Sequence, residues 1–127
     1  MKKSYLLIVT ILLTSCHNQQ KPNIYILKIY KDSLNLTSNK YESKIDSQII
    51  KCKNDTIAYK HGFVSYYTDA FFQRNTNFEY VRTKSFKVLN KEGMDIKSTL
   101  SQTVIDGIEQ RIINRVKKDS SEAANLK

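Results

Sequence analysis

The sequence has little cysteine, glycine, proline and tryptophan: two cysteines, three glycines, one proline and no tryptophan in 127 residues. Two cysteines cannot form the framework of a disulfide-rich scaffold, and three glycines cannot supply a common glycine-rich phosphate-binding loop. No histidines or cysteines have the spacing of a zinc site, and no Gly-x-Ser-x-Gly or Ser-x-x-Lys motif occurs. We therefore predict no catalytic residue, no metal site and no cofactor, and we expect that the chain is not an enzyme.

The length and the charge limit the remaining classes. A chain of 127 residues allows one domain, and 40% apolar residues are enough for a folded core. The formal charge is +9, but 17 of the 21 basic residues are lysines scattered along the chain, whereas nucleic-acid sites concentrate Lys and Arg on one face. We expect no nucleic-acid partner.

The N-terminus has the layout of an export signal. Lys2 and Lys3 precede an apolar run over residues 6–13, and small polar residues follow it. The run is too short for a permanent membrane span, which needs about 20 residues. The end of this segment reads Leu13-Thr14-Ser15-Cys16. It resembles the lipobox of bacterial lipoproteins, in which an aliphatic residue and two small residues precede the lipidated cysteine.

This resemblance implies a location. Cys16 would carry the lipid and residues 1–15 would be removed, so that the loss of two lysines lowers the formal charge from +9 to +7. His17 stands where lipoproteins of the inner membrane often carry Asp, which implies the outer membrane. No acidic run follows Cys16, which favours a periplasm-facing domain. The partners expected are the lipid bilayer, through acylated Cys16, and an envelope protein or anionic envelope polymer.

The rest of the chain is predicted to contain a tether at 16–23, a small globular domain at 24–116 and a flexible tail at 117–127. With Cys16 lipidated, Cys52 has no intramolecular disulfide partner. Cys52 is then either a small buried residue, which we favour, or a lone thiol.

The first half of the domain is predicted to be largely helical. Residues 24–31 suit a strand, although a helix fits almost as well. Residues 43–53 suit a helix capped by Ser43, and residues 56–74 suit a second helix capped by Asn54 or Asp55, so that the two would form a helical hairpin. Gly62 weakens the second helix but permits the close approach of a neighbouring element.

The second half adds strands and a helix. Residues 78–82 and 85–89 alternate as strands do, and residues 90–93 form a turn with Gly93 in the left-handed conformation, which predicts a hairpin over 84–96. The clearest apolar stripe predicts a helix over 99–117. The expected fold class is α+β, with about three helices and a short antiparallel sheet, and the alternative is a mostly helical bundle.

Four further residues are candidates for binding or modification. Tyr67 and Phe72 lie on a helix that is apolar nearly all round, which requires either a central position or an exposed binding patch. Ser33 and Thr56 lie in Asp-Ser/Thr-aliphatic triplets that resemble O-glycosylation acceptor sites of exported Gram-negative proteins; capping of a helix is the alternative for Thr56.

Three hypotheses for the function follow. The first is a membrane-anchored envelope lipoprotein that acts as a non-catalytic binding or structural module. The second is an immunity-type lipoprotein that neutralises a periplasm-acting toxin, and the third is a small envelope hydrolase. The oligomeric state is left open.

Overall fold

The computed structural model describes residues 21–76 and 79–126. Within these ranges the chain forms strands β1 (Asn23–Asn35), β2 (Lys40–Cys52) and β3 (Val81–Leu89), helices α1 (Asp55–Thr76) and α2 (Gln102–Asn125), and one 3₁₀ turn (Ile96–Thr99). The three strands form an antiparallel sheet in the order β2-β1-β3. The fold class is therefore α+β, as predicted, and the mostly helical alternative is wrong. Two α-helices are present in these ranges rather than about three.

Strands β1 and β2 form a hairpin with thirteen paired positions. Asn35 closes it, since its Oδ1 accepts a hydrogen bond from Thr37 N at 3.0 Å and Asn39 takes the left-handed conformation at φ 54°. The predicted helix over 43–53 and the predicted helical hairpin are wrong. The physical reason is that Ile45 and Ile49 fit a two-residue as well as a helical period, and pairing with β1 selects the strand.

Helix α1 confirms the second helical prediction. Asn54 caps it by accepting a hydrogen bond from Ile57 N at 3.0 Å. The helix packs against all three strands, most extensively against β3, with a buried face that includes Tyr59, Gly62 and Phe63.

Strand β3 replaces the two short strands predicted over 78–82 and 85–89. Residues 81–89 are continuous and pair with β1, with a register shift beside Tyr30 and Lys31. The predicted turn at 90–93 is confirmed, with Gly93 at φ 80°. The predicted hairpin is reduced to a single bridge between Leu89 and Asp95, because the 3₁₀ turn begins at Ile96.

Helix α2 confirms the last helical prediction with shifted ends. Ser101 caps it, and Ile105, Ile108 and Ile112 are its buried residues. The helix continues to Asn125, so residues 117–125 form exposed turns of it. None of the described helices combines the length and apolarity needed to cross a bilayer.

The core lies between one face of the sheet and the two helices. Tyr25, Leu27 and Ile29 of β1 enter it, and Val88 of β3 lies beside them. Asp55 joins three elements at one end, because its carboxylate accepts hydrogen bonds from the hydroxyls of Tyr25 (2.8 Å) and Thr99 (2.7 Å). Every buried side-chain polar atom in the described ranges has a hydrogen-bond partner.

Candidate interaction surface

The sheet has one covered face and one open face. Alternate residues of a strand point to opposite faces. Tyr25, Leu27 and Ile29 are buried under the helices, whereas Ile24 and Ile26 between them are exposed. The face that carries Ile24 and Ile26 is covered by none of the elements in the described ranges, because both helices pack on the opposite side.

Apolar side chains line this open face in opposed pairs. Strand pairing sets Ile26 opposite Ile49, Tyr30 opposite Ile45, and Leu34 opposite Tyr41, and Leu89 adjoins Ile26 from β3. We call the surface made by these residues and Ile24 the open sheet face. Ile49 is 71% exposed and Ile45 is 53% exposed. Such cross-strand pairs stabilise the sheet, but they also leave a contiguous apolar stripe in contact with water.

Basic side chains border the stripe. By strand alternation, Lys28, Lys51, Arg82 and Lys87 lie on this face among the apolar pairs. The Arg82 guanidinium lies 3.9 Å from the centre of the Tyr41 ring, and the Lys87 ammonium lies 6.0 Å from that of Tyr30. The open sheet face is therefore both apolar and positively charged.

One carboxylate shares this face and is already paired. Asp32 forms an ion pair with Lys84 at 2.7 Å, and the Asp32 side chain is only 17% exposed. It therefore adds little negative charge for a partner to meet.

The predicted partner residues Tyr67 and Phe72 lie elsewhere, on α1. The Tyr67 ring stacks on Phe63 at 5.6 Å and 13° and packs against the core, so that it supports the fold. Phe72 is 58% exposed on the same helix. The structure does not bring either residue to the open sheet face, and a partner contact at Phe72 stays a prediction.

The predicted modification sites occupy different environments. Thr56 is exposed in the first turn of α1, where Asn54 provides the cap. Ser33 is half-buried in the central strand, between Glu42 and Val81 of its neighbours. Cys16, the predicted lipid site, lies outside the described residues. Cys52 is a buried thiol, as we favoured, and burial raises its pKa.

An aromatic groove lies on the helical side of the sheet. It has a volume of about 310 Å³ and is lined by Tyr59, Tyr66, Phe86, Lys97 and Glu109, among others. The Tyr59 hydroxyl donates a hydrogen bond of 2.6 Å to Glu109 Oε1. Burial, and then this hydrogen bond, raise the pKa of Tyr59 well above its ordinary value. The Tyr59 hydroxyl in this groove is therefore held in its neutral form, and its hydrogen bond to Glu109 joins α1 to α2.

The sequence contains a signal for the open sheet face that the prediction of a helix concealed. Tyr41, Ile45 and Ile49 recur every four residues, and Ser43 and Ser47 lie between them. This spacing agrees with a strand that presents one apolar-and-serine face to solvent. Read as a helix, Tyr41, Ile45 and Ile49 also share one face, because residues four positions apart are neighbours on a helix, so the spacing alone permits both structures.

No protein-family model, no curated protein and no solved structure matches this chain.

Proposed function

We propose that this chain is a membrane-anchored envelope lipoprotein whose domain is a non-catalytic binding module, and that the open sheet face is the binding surface. The observation that carries the binding role is the row of apolar pairs on that face, which the described elements leave in water. Contiguous apolar surface bordered by polar residues marks interaction sites in soluble domains.

The charge of the open sheet face defines the chemistry of the partner. Lys28, Lys51 and Lys87 lie among the apolar pairs, and the Asp32 carboxylate on the same face forms an ion pair with Lys84. The complementary surface is apolar at its centre and acidic at its rim. We propose that it belongs to an envelope protein, whose acidic side chains steer the encounter while apolar contact supplies the affinity.

The proposed lipid on Cys16 supplies the location. Seven residues, 16–22, precede β1, and a chain of that length reaches at most about 25 Å when extended. Two or three acyl chains anchor a protein firmly, where one gives only reversible binding. The lipid would therefore hold the sheet close to the membrane and raise the effective concentration of partners there.

A photo-cross-linking amino acid at Ile45, in the full chain expressed in cells, tests the binding surface. We expect capture of one envelope protein with an acidic contact surface, loss of capture with I49D, and retention with I57D. Ile57 is the matched control because it is also exposed but lies on α1. Equal capture by both variants, or cross-links to lipid alone, would contradict the proposed surface.

The anchor is tested separately. We expect Cys16→Ala to abolish labelling by palmitate and to move the chain from the membrane fraction to the soluble fraction. Unchanged labelling would contradict the lipoprotein assignment without affecting the binding surface. If the captured protein is a toxin that the chain inhibits, the immunity-type alternative replaces the general binding role.

A further inference from the structure

Strand β2 forms a long outer edge of the sheet. It has thirteen residues, and β1 is its neighbour within the described sheet. Residues 40–49 are exposed or half-buried, whereas Ile50 and Cys52 near the end of the strand are buried. The outer edge therefore presents backbone N–H and C=O groups to solvent, which is a template for pairing with another strand.

The side chains of this edge carry a self-complementary pattern. On the helix side of the sheet, the strand places Lys40, Glu42, Lys44 and Asp46 in succession, so that the charges alternate in sign. The opposite face of the same segment carries Tyr41 and Ile45 on either side of Ser43.

We propose that β2 pairs antiparallel with β2 of a second copy of this chain, with Ser43 on the two-fold axis. Lys40 then lies opposite Asp46 of the second copy, and Glu42 lies opposite Lys44 of the second copy. Each pair occurs twice by symmetry, which gives four pairs of opposite charge. On the other face Tyr41 lies opposite Ile45 of the second copy, an aromatic and β-branched pair that suits antiparallel strands.

The same charges disfavour neighbouring registers. With Lys44 on the axis, Lys44 lies opposite Lys44 of the second copy, and Glu42 lies opposite Asp46 of the second copy. Like charges then oppose one another. With Ile45 on the axis, only Lys44 and Asp46 form a charge pair, while Glu42 faces an amide, Gln48. Asp46 also pairs with Lys31 of its own chain at 2.9 Å, which applies to all of these registers and does not distinguish them. Opposite charges directly across a ladder favour it and like charges disfavour it, so the Ser43 register is selected.

The paired sheet would have six strands and would place both open sheet faces on the same side. This follows because an axis perpendicular to the sheet keeps the helices of both copies on one side. The pairing depends on the edge of β2 alone, so it goes beyond the proposed function and does not require the lipid or the envelope partner.

Charge reversal tests the pairing in the full chain, extracted in mild detergent and measured by native mass spectrometry. We expect a dimer for the unmodified chain. Lys44→Glu and Glu42→Lys each set like charges opposite one another twice, so each should raise the dissociation constant by about tenfold or more. An equimolar mixture of the two variants restores opposite charges and should give a heterodimer.

Matched variants separate the register from general effects. Lys51→Glu makes the same charge change on β2 outside the paired segment and should leave the dimer intact. Ser43→Cys should cross-link to itself across the axis on mild oxidation, and Ile45→Cys should not. A monomeric unmodified chain, no heterodimer from the mixture, or efficient cross-linking at Ile45 only would overturn the proposal.

Discussion

The backbone of Gly62 in α1 lies directly against the side chain of Val88 in β3. A Cβ atom added at Gly62 would lie 2.6 Å from Val88 Cγ2 and 3.0 Å from the Phe86 ring. Both neighbours belong to the strand that α1 covers, and Val88 is fully buried. The close approach suggested by a glycine in a helical sequence is confirmed, and it sets the distance between helix and sheet.

Gly62→Ala should destabilise the fold even though alanine favours helices. Overpacking of a core costs about 1–3 kcal/mol, which outweighs the gain of about 1 kcal/mol in helix propensity. Gly107→Ala in α2 is the matched control, because its Cβ would meet only Arg111 Nη2 at 3.7 Å. We expect Gly107→Ala to raise the free energy of unfolding in urea and Gly62→Ala to lower it. A stabilising Gly62→Ala would contradict the packing described.

The Tyr59 hydroxyl should make the fold sensitive to alkali. Burial and the bond to Glu109 raise the pKa of Tyr59, so the unfolded chain ionises first, above pH about 10. The stabilisation of the fold by the neutral Tyr59 hydroxyl is complete below that pH and is lost as pH rises through the folded pKa of Tyr59. Tyr59→Phe should lower the free energy of unfolding at pH 7 by about 1 kcal/mol and flatten its decline above pH 10.

Glu109→Gln is the control for the Tyr59 prediction. It keeps an acceptor for the hydroxyl and removes only the charge, so the alkaline decline should persist in a weaker form. Urea unfolding between pH 7 and 11 measures both variants. An alkaline decline as steep in Tyr59→Phe as in the unmodified chain would contradict the assignment.

Acid should weaken the fold through Asp46. The hydrogen bond from Lys31 lowers the pKa of Asp46. The ionised Asp46 carboxylate therefore stabilises the fold above the unfolded pKa of about 3.9, and this stabilisation is lost as pH falls through the folded pKa. Lys31→Met should flatten the acid decline and cost less than about 1 kcal/mol at pH 7, because the carboxylate is half-exposed. Lys44→Met should change less, since its ammonium is 3.9 Å from Asp46 and exposed. Acid titrations followed by circular dichroism compare the two, and equal effects would contradict the prediction.

The Cys52 thiol should resist modification in the folded chain. Burial raises its pKa and limits access of reagents, and thiolate is the reactive form. In a Cys16→Ala background, Cys52 should react with Ellman's reagent at pH 8 much more slowly in buffer than in denaturant. Ser47→Cys, on an exposed position of the same strand, supplies a fast-reacting comparison. Equal rates at the two positions would show that Cys52 is accessible.

Helices α1 and α2 and the turn at residues 90–93 were predictable because the sequence signals for them are local. Asn54 caps α1, Ser101 caps α2, and Gly93 has the left-handed conformation that a turn requires. Each of these features depends on residues a few positions apart, so neighbouring sequence is enough to reveal it. The α+β class followed from the same local evidence.

The candidate surface could not be predicted in the same way. Residues 41–53 satisfy a helical period with Ile45, Ile49 and Cys52, and a strand period with Tyr41, Ile45 and Ile49. Tyr67 offered an aromatic binding face on α1, yet its ring stacks on Phe63. The open sheet face exists because β1 pairs with β2 on one side and β3 on the other, and both helices pack on the opposite face.

By itself the sequence indicated α1, the presence of α2 though not its ends, the turn at Gly93, and the lipobox pattern on which the predicted anchor at Cys16 depends. Only the tertiary structure decided that residues 40–52 form a strand and that this strand lies at an edge. The physical reason is that hydrogen bonds and cross-strand contacts with β1 are non-local, so they select between two periods that the local pattern permits equally.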